Sequence, residues 1–142
     1  MKDIIFSKSF LRKLESLSKK YNISLFILFG SRAKGKAKVD SDYDMAYFPS
    51  KNILAKDDNY IFEKLMEWLS NEKIDLINIR NSKDYRVINN IFSEGIVLYE
   101  KNEGLFDEMK WRAWVTFQDF KPYYDKQFEL SKKSILEMMK NG

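Results

Sequence analysis

Apolar side chains recur along the chain with two different periods, which predict alternating helices and strands. Helical spacing is found in Ser9 to Tyr21, Asp57 to Ser70 and Leu105 to Lys140, whereas residues 81–92 are helical or irregular. Continuous or alternating apolar runs predict four strands, at Ile23 to Phe29, Ser41 to Phe48, Lys73 to Arg80 and Gly95 to Glu100. This order predicts an α/β domain with a four-stranded sheet and helices mainly on one face.

The last quarter of the chain is one long helical segment. Its apolar stripe includes Phe106, Met109, Ala113, Phe117, Phe120, Tyr124 and Phe128. Pro122 is expected to kink or break this helix near Lys121, because an interior proline costs roughly 3 kcal/mol. We therefore divide the chain into a domain of residues 1–104 and a helical extension of residues 105–142. The extension would complete the core, self-associate or bind a partner.

A Gly-Ser pair and two aspartates flank the turn between the first two predicted strands. Gly30 and Ser31 end the first strand, and Asp42 and Asp44 begin the second. Side chains alternate along a strand, so both carboxylates project to the same side. Mg²⁺ binds through one or two carboxylates together with substrate phosphates. A glycine lets a phosphate approach the backbone, and Ser31 offers a hydroxyl and an N–H at a helix start.

Further candidates surround this motif. Arg32, Lys34, Lys36 and Lys38 lie in the connection, and we expect Arg32 or Lys34 to contact phosphate. Ser41 either orients the neighbouring carboxylates or starts the turn. Asp75, on the third strand, would face an apolar environment unless it were paired or bound to metal. We expect Trp68, at helical spacing, to pack in the core rather than stack on a base.

The stretch GSRAKGKAKVDSDYD resembles the hallmark of the DNA polymerase beta-like nucleotidyltransferases, in which Gly-Ser is followed by Asp-x-Asp. The resemblance covers about residues 20 to 100. It is strongest to minimal nucleotidyltransferases, in particular MntA-type antitoxins paired with HEPN-domain toxins, and extends more loosely to residues 118–122. It implies a nucleotidyltransferase palm with a mixed sheet flanked by helices, with Asp75 as the third metal-site carboxylate.

The resemblance also implies an activity. MntA-type antitoxins transfer AMP from ATP to a tyrosine of the partner HEPN ribonuclease toxin, which silences it. In this chain Asp42, Asp44 and Asp75 would hold two Mg²⁺ ions about 4 Å apart, and Gly30 and Ser31 would grip the outer phosphates of ATP. We expect a complex with the toxin, and no direct binding of nucleic acid.

The composition excludes several classes of metal-binding and catalytic site. The chain has no cysteine, which excludes disulfides and thiolate metal sites. It also has no histidine, so that a general base must be a carboxylate, a lysine or a tyrosine. We find neither a membrane-length apolar run nor a signal-peptide pattern, and we expect a cytoplasmic protein.

Two other functions compete with toxin adenylylation. The chain could neutralise its partner by binding alone, with a bound nucleotide that has only a structural role. The three carboxylates argue against this, since binding needs no metal ligands. It could also transfer a nucleotide to the hydroxyl of a small molecule. A site open enough for a protein tyrosine would favour the toxin.

Overall fold

The computed structural model describes residues 6–38, 41–70 and 73–141. The helices are α1 (Lys8–Lys20), α2 (Gly30–Ala33), α3 (Ala55–Leu69), α4 (Tyr85–Glu94) and α5 (Leu105–Asn141), and the strands are β1 (Ile23–Phe29), β2 (Tyr43–Pro49), β3 (Ile74–Asn78) and β4 (Ile96–Glu100). Within these ranges, none of the helices combines the length and apolar character needed to cross a membrane.

The four strands form one mixed sheet in the order β3-β2-β1-β4. β1 pairs antiparallel with both β2 and β4, whereas β2 and β3 run parallel. The first six residues of β1 are buried, which agrees with a central strand covered on both faces. The predicted mixed α/β sheet with flanking helices is confirmed.

Helices cover both faces of the sheet, so the prediction that they lie mainly on one face is wrong. On one face α1 and α3 pack on side chains such as Phe26, Met45 and Tyr47. On the other, α4 and α5 pack on Leu25, Ile27 and Ala46. The reason is that successive residues of β1 and β2 point to opposite faces and are apolar on both. Each face therefore needs its own cover.

The C-terminal helix α5 is continuous through Pro122, so the helix does not break near Lys121; a kink there stays a prediction. Proline removes the hydrogen bond that the carbonyl of Gln118 would accept. Residues 118–121 are exposed, so water can reach this carbonyl and the cost of the lost bond is reduced. Phe106 and Ala113 in the first half are buried. The half after Gln118 is almost entirely exposed.

Candidate functional site

The three predicted carboxylates meet at one end of the sheet. In the parallel pairing of β2 and β3, Asp44 lies directly opposite Asp75. Asp44 also pairs with Phe29, the last residue of β1. Asp42 precedes Asp44 by two residues at the entry to β2, which places it on the same side. Strand register thus brings together residues 33 positions apart in the sequence.

The environment of Asp44 shows that these carboxylates interact. Burial raises the pKa of Asp44 above its usual value, and the negative charges of Asp75 and then Asp42 raise it further. The ionised site therefore holds concentrated negative charge, which a bound cation would relieve. Asp42 and Asp75 themselves are exposed. The expectation that Asp75 faces an apolar environment is wrong, because it lies at the open end of β3, one residue after the strand begins.

Gly30 is held against the carboxylate of Asp44. Its φ of +74° lies in the left-handed region, which favours glycine. A Cβ at this position would collide with Oδ2 of Asp44 and lie 2.9 Å from its Cγ. The missing side chain therefore makes room for the carboxylate of Asp44, a relationship that the sequence motif does not reveal.

The connection after Gly30 is a single short helical turn. α2 begins at Gly30 itself. The amide of Lys36 donates to the carbonyl of Ser31 at 3.0 Å, and Gly35 then turns the chain with a φ of +71°. The half-buried Ser31 is thus fixed beside the carboxylates, between β1 and the connection.

Arg32 holds this connection in place. Its Nε and Nη2 both donate to the carbonyl of Ser41, at 3.2 and 2.8 Å. Its guanidinium lies 3.9 Å from the centre of the Tyr43 ring, a cation–π contact. These contacts fix the segment that carries Asp42. Binding of phosphate by Arg32 stays a prediction, and its anchoring role was not foreseen, since nothing in the spacing relates Arg32 to a backbone carbonyl nine residues away.

Ser41 closes a turn with Lys38. Its hydroxyl accepts a hydrogen bond from the amide of Lys38 at 2.7 Å, and its own amide donates to the Lys38 carbonyl at 3.0 Å. Of the two roles that the sequence left open, this geometry favours the turn. Ser41 therefore positions the chain immediately before Asp42.

Lys34 forms an ion pair with Glu94 of α4, with Nζ 3.0 Å from Oε1. Glu94 was not among the predicted residues, because it lies far from the motif along the chain and no local signal marks it. An exposed pair of this kind contributes about 0–1 kcal/mol, so a phosphate could take the lysine at little cost. Phosphate binding by Lys34 stays a prediction.

The carboxylates suit a divalent cation that takes some of its ligands from the protein and the others from substrate. Across residues 6–38, 41–70 and 73–141, no group of three or more acidic side chains is arranged to hold a metal ion by itself. Mg²⁺ requires fewer protein ligands than that, because it binds one or two carboxylates plus substrate phosphates. The pairing of Asp44 with Asp75, and the pKa of Asp44, which burial and then the charges of Asp75 and Asp42 raise, favour a cation here. Binding of Mg²⁺ by Asp42, Asp44 and Asp75 stays a prediction.

Several solved structures that resemble this chain come from toxin–antitoxin systems. A toxin–antitoxin crystal structure with AMP-PNP has a TM-score of 0.73 at 17% identity, covering 86% of this chain and 98% of that one. The MntA-HepT complex has a TM-score of 0.69 at 15% identity, with coverages of 89% and 99%. The structure of a tri-AMPylated HEPN toxin of Shewanella oneidensis in complex with MNT antitoxin has a TM-score of 0.68 at 15% identity, with coverages of 86% and 95%.

The sequence comparisons give the family. No curated protein matches the chain. The family described as polymerase beta, nucleotidyltransferase, matches residues 12–104, which include Gly30, Ser31 and all three carboxylates. The chain belongs to the polymerase beta nucleotidyltransferase family.

Proposed function

We propose that this chain is an antitoxin that transfers AMP from ATP to a tyrosine of a HEPN-domain ribonuclease toxin. The observation that carries the proposal is the convergence of Asp42, Asp44 and Asp75 beside Gly30, which gives the chain the elements of a nucleotidyl-transfer site. The partner and acceptor are suggested by the similar structures, one of which contains a tri-AMPylated HEPN toxin bound to an MNT antitoxin.

The reaction would exchange a phosphoanhydride bond of ATP for a phosphate ester bond to tyrosine. The tyrosine oxygen attacks the α-phosphorus of ATP, the bond from this phosphorus to the bridging oxygen of the β-phosphate breaks, and pyrophosphate leaves. Asp75, which is exposed, accepts the proton of the tyrosine hydroxyl. Bound Mg²⁺ would neutralise the phosphates and lower the pKa of that hydroxyl.

The residues around the carboxylates position the substrate. The backbone at Gly30 and Ser31 receives the outer phosphates of ATP, and Lys34 adds charge by leaving Glu94. Arg32 and Ser41 hold the Asp42 segment against β2 through their hydrogen bonds. Catalysis then depends mainly on placing reactants and balancing charge, with no covalent intermediate on the protein.

The exposed half of α5 is the surface that we assign to the toxin. Its large apolar side chains include Phe128 (67% exposed), Ile135, Leu136, Met138 and Met139 (74% exposed). Monomeric proteins rarely expose a contiguous apolar patch of this kind. This half of α5 follows the part that packs on the sheet, so a partner could bind along it.

Co-expression with a HEPN-domain toxin from the same genome tests the proposal. The wild-type chain should restore growth, and peptide mass mapping should find AMP on a toxin tyrosine. Asp42→Ala and Asp44→Ala should lose both effects while still co-purifying with the toxin. Growth restored by these variants without AMP on the toxin would establish neutralisation by binding alone.

A further inference from the structure

A groove lined by basic and aromatic side chains lies between α1 and α3. Its volume is about 390 Å³, and its lining residues are Arg12, Lys13, Ser16, Leu17, Lys20, Tyr60, Lys64 and Trp68. α1 and α3 cover the face of the sheet opposite the one that α4 and α5 cover. The strand alternation places Asp44 on the α4 and α5 side, so the groove is separate from the transfer site.

The α1 side of the groove is positively charged. α1 carries five cationic side chains against one carboxylate, whereas α3 carries two cations against four carboxylates. In the described parts of the chain, no carboxylate lies within ion-pair distance of Arg12, Lys13 or Lys20. Lys64 is partly neutralised by Glu67, at 3.3 Å. Three exposed cations are therefore available to an anion.

Two aromatic rings lie among these cations. Nζ of Lys13 is 6.0 Å from the centre of the Trp68 ring, and Nζ of Lys20 is 5.3 Å from that of Tyr60. One edge of Trp68 contacts Phe10 in a T-shaped pair at 6.4 Å, so the ring is anchored in the core while its remainder lines the groove. Both rings are half-buried and held in position.

We propose that this groove binds single-stranded RNA, with phosphates on Arg12, Lys13 and Lys20 and a base stacked on Trp68. Single-strand sites combine a positive groove that follows the backbone with aromatic rings on which bases stack. The volume lies within the range of about 300–1,000 Å³ found for small-ligand sites, enough for a nucleotide. This proposal replaces the expectation that the chain has no direct contact with nucleic acid, and it is independent of AMP transfer.

Fluorescence anisotropy with a labelled 12-nucleotide RNA of mixed sequence tests whether the groove's cations bind RNA phosphates. Lys13→Ala with Lys20→Ala should weaken binding about tenfold at 50 mM salt and reduce the slope of log K against log salt by about 1.4, since each phosphate contact on a single strand contributes about 0.7. The matched control is Lys126→Ala with Lys140→Ala, which removes two exposed charges from α5. Equal weakening by both pairs would overturn the site.

Tryptophan fluorescence tests the rings. In a Trp111→Phe, Trp114→Phe background, Trp68 is the remaining tryptophan of the three in the chain. RNA should quench Trp68, whereas inorganic polyphosphate and phosphatidylserine vesicles should not. Quenching by polyphosphate, or RNA binding without quenching, would overturn base stacking. RNA binding should be unchanged in Asp42→Ala, so a failure of AMP transfer would leave this result intact.

Discussion

Asp44 and Asp75 lie opposite each other across the parallel pairing of β2 and β3, and the charge of Asp75 raises the pKa of Asp44. Neither residue is near the other in sequence, and only the register of the two strands unites them. A shift of one residue would send either carboxylate to the opposite face of the sheet. The same hydrogen bonds that build the fold therefore set the geometry of the site.

Asp44→Asn should stabilise the metal-free protein while abolishing transfer. The substitution keeps the shape of the side chain and removes a partly buried charge that Asp75 and Asp42 repel. The melting temperature in EDTA should rise. Asp119→Asn, at an exposed position of α5, serves as the control and should leave it unchanged. A lower melting temperature for Asp44→Asn would show that the Asp44 carboxylate makes stabilising contacts that outweigh its repulsion by Asp75 and Asp42.

The stabilisation by Asp44→Asn should depend on pH. Because the pKa of Asp44 is raised in the folded protein, the folded state holds its proton more readily than the unfolded chain does. The stability that protonated Asp44 contributes to the wild-type protein is present at low pH. It is lost as the pH rises from the unfolded pKa near 3.8 through the pKa in the folded protein. The variant's advantage should therefore be largest at neutral pH and shrink toward pH 4. Melting temperatures of both proteins in EDTA across this pH range measure the variant's advantage. A difference in melting temperature that does not change with pH would contradict the prediction.

Gly30→Ala should destabilise the protein and abolish transfer. The new Cβ would collide with the carboxylate of Asp44 and strain a φ of +74°. Strain of this kind alone costs of order 1–3 kcal/mol. Gly35→Ala is a matched control, because Gly35 has a φ of +71° but a Cβ there would have no neighbouring atom within 4 Å.

Urea unfolding and transfer assays of both glycine variants separate strain from collision. Both should lose stability through the backbone, and Gly30→Ala should lose more. Gly35→Ala should keep measurable transfer, since its new methyl group contacts nothing at the site. Similar losses of transfer in the two variants would mean that the contact between Gly30 and Asp44 has no particular role.

Lys34→Ala should raise the KM for ATP several-fold if Lys34 moves from Glu94 to a phosphate. Glu94→Gln removes the competing carboxylate and should leave the KM unchanged or lower it. Stability should change by less than about 1 kcal/mol in both variants, since the pair is exposed. Steady-state kinetics with varied ATP distinguish the two residues. A higher KM in both variants would indicate that the ion pair itself, and not a phosphate contact, maintains the site.

The parts of the fold set by local pattern could be predicted from the sequence. The bounds predicted for β1, Ile23–Phe29, are those observed, since a continuous apolar run ends sharply at Gly30. Asp42 and Asp44 could be located because strand alternation and the Gly-Ser motif are both local signals, whereas Asp75 was assigned through the resemblance to the family. α5 was placed correctly, but its continuity through Pro122 depends on solvent at Gln118, which the pattern does not reveal.

The interactions that cross between elements could not be predicted. The hydrogen bonds of Arg32 to Ser41 and the ion pair of Lys34 with Glu94 depend on how α2 is oriented against β2 and α4. A sequence shows that these side chains are charged but not which partner each one reaches. The covering of both sheet faces, by contrast, follows from the apolar residues on both sides of β1 and β2.

Transfer of label from α-³²P-ATP to a purified HEPN toxin tests the central claim most directly. With Mg²⁺, the wild-type chain should label the toxin, whereas Asp44→Asn and a reaction with γ-³²P-ATP should not, because AMP carries only the α-phosphate. Mutation of the labelled toxin tyrosine to phenylalanine should remove the signal. A toxin that is bound and neutralised with no label from α-³²P-ATP would contradict the account and leave an antitoxin that acts by binding.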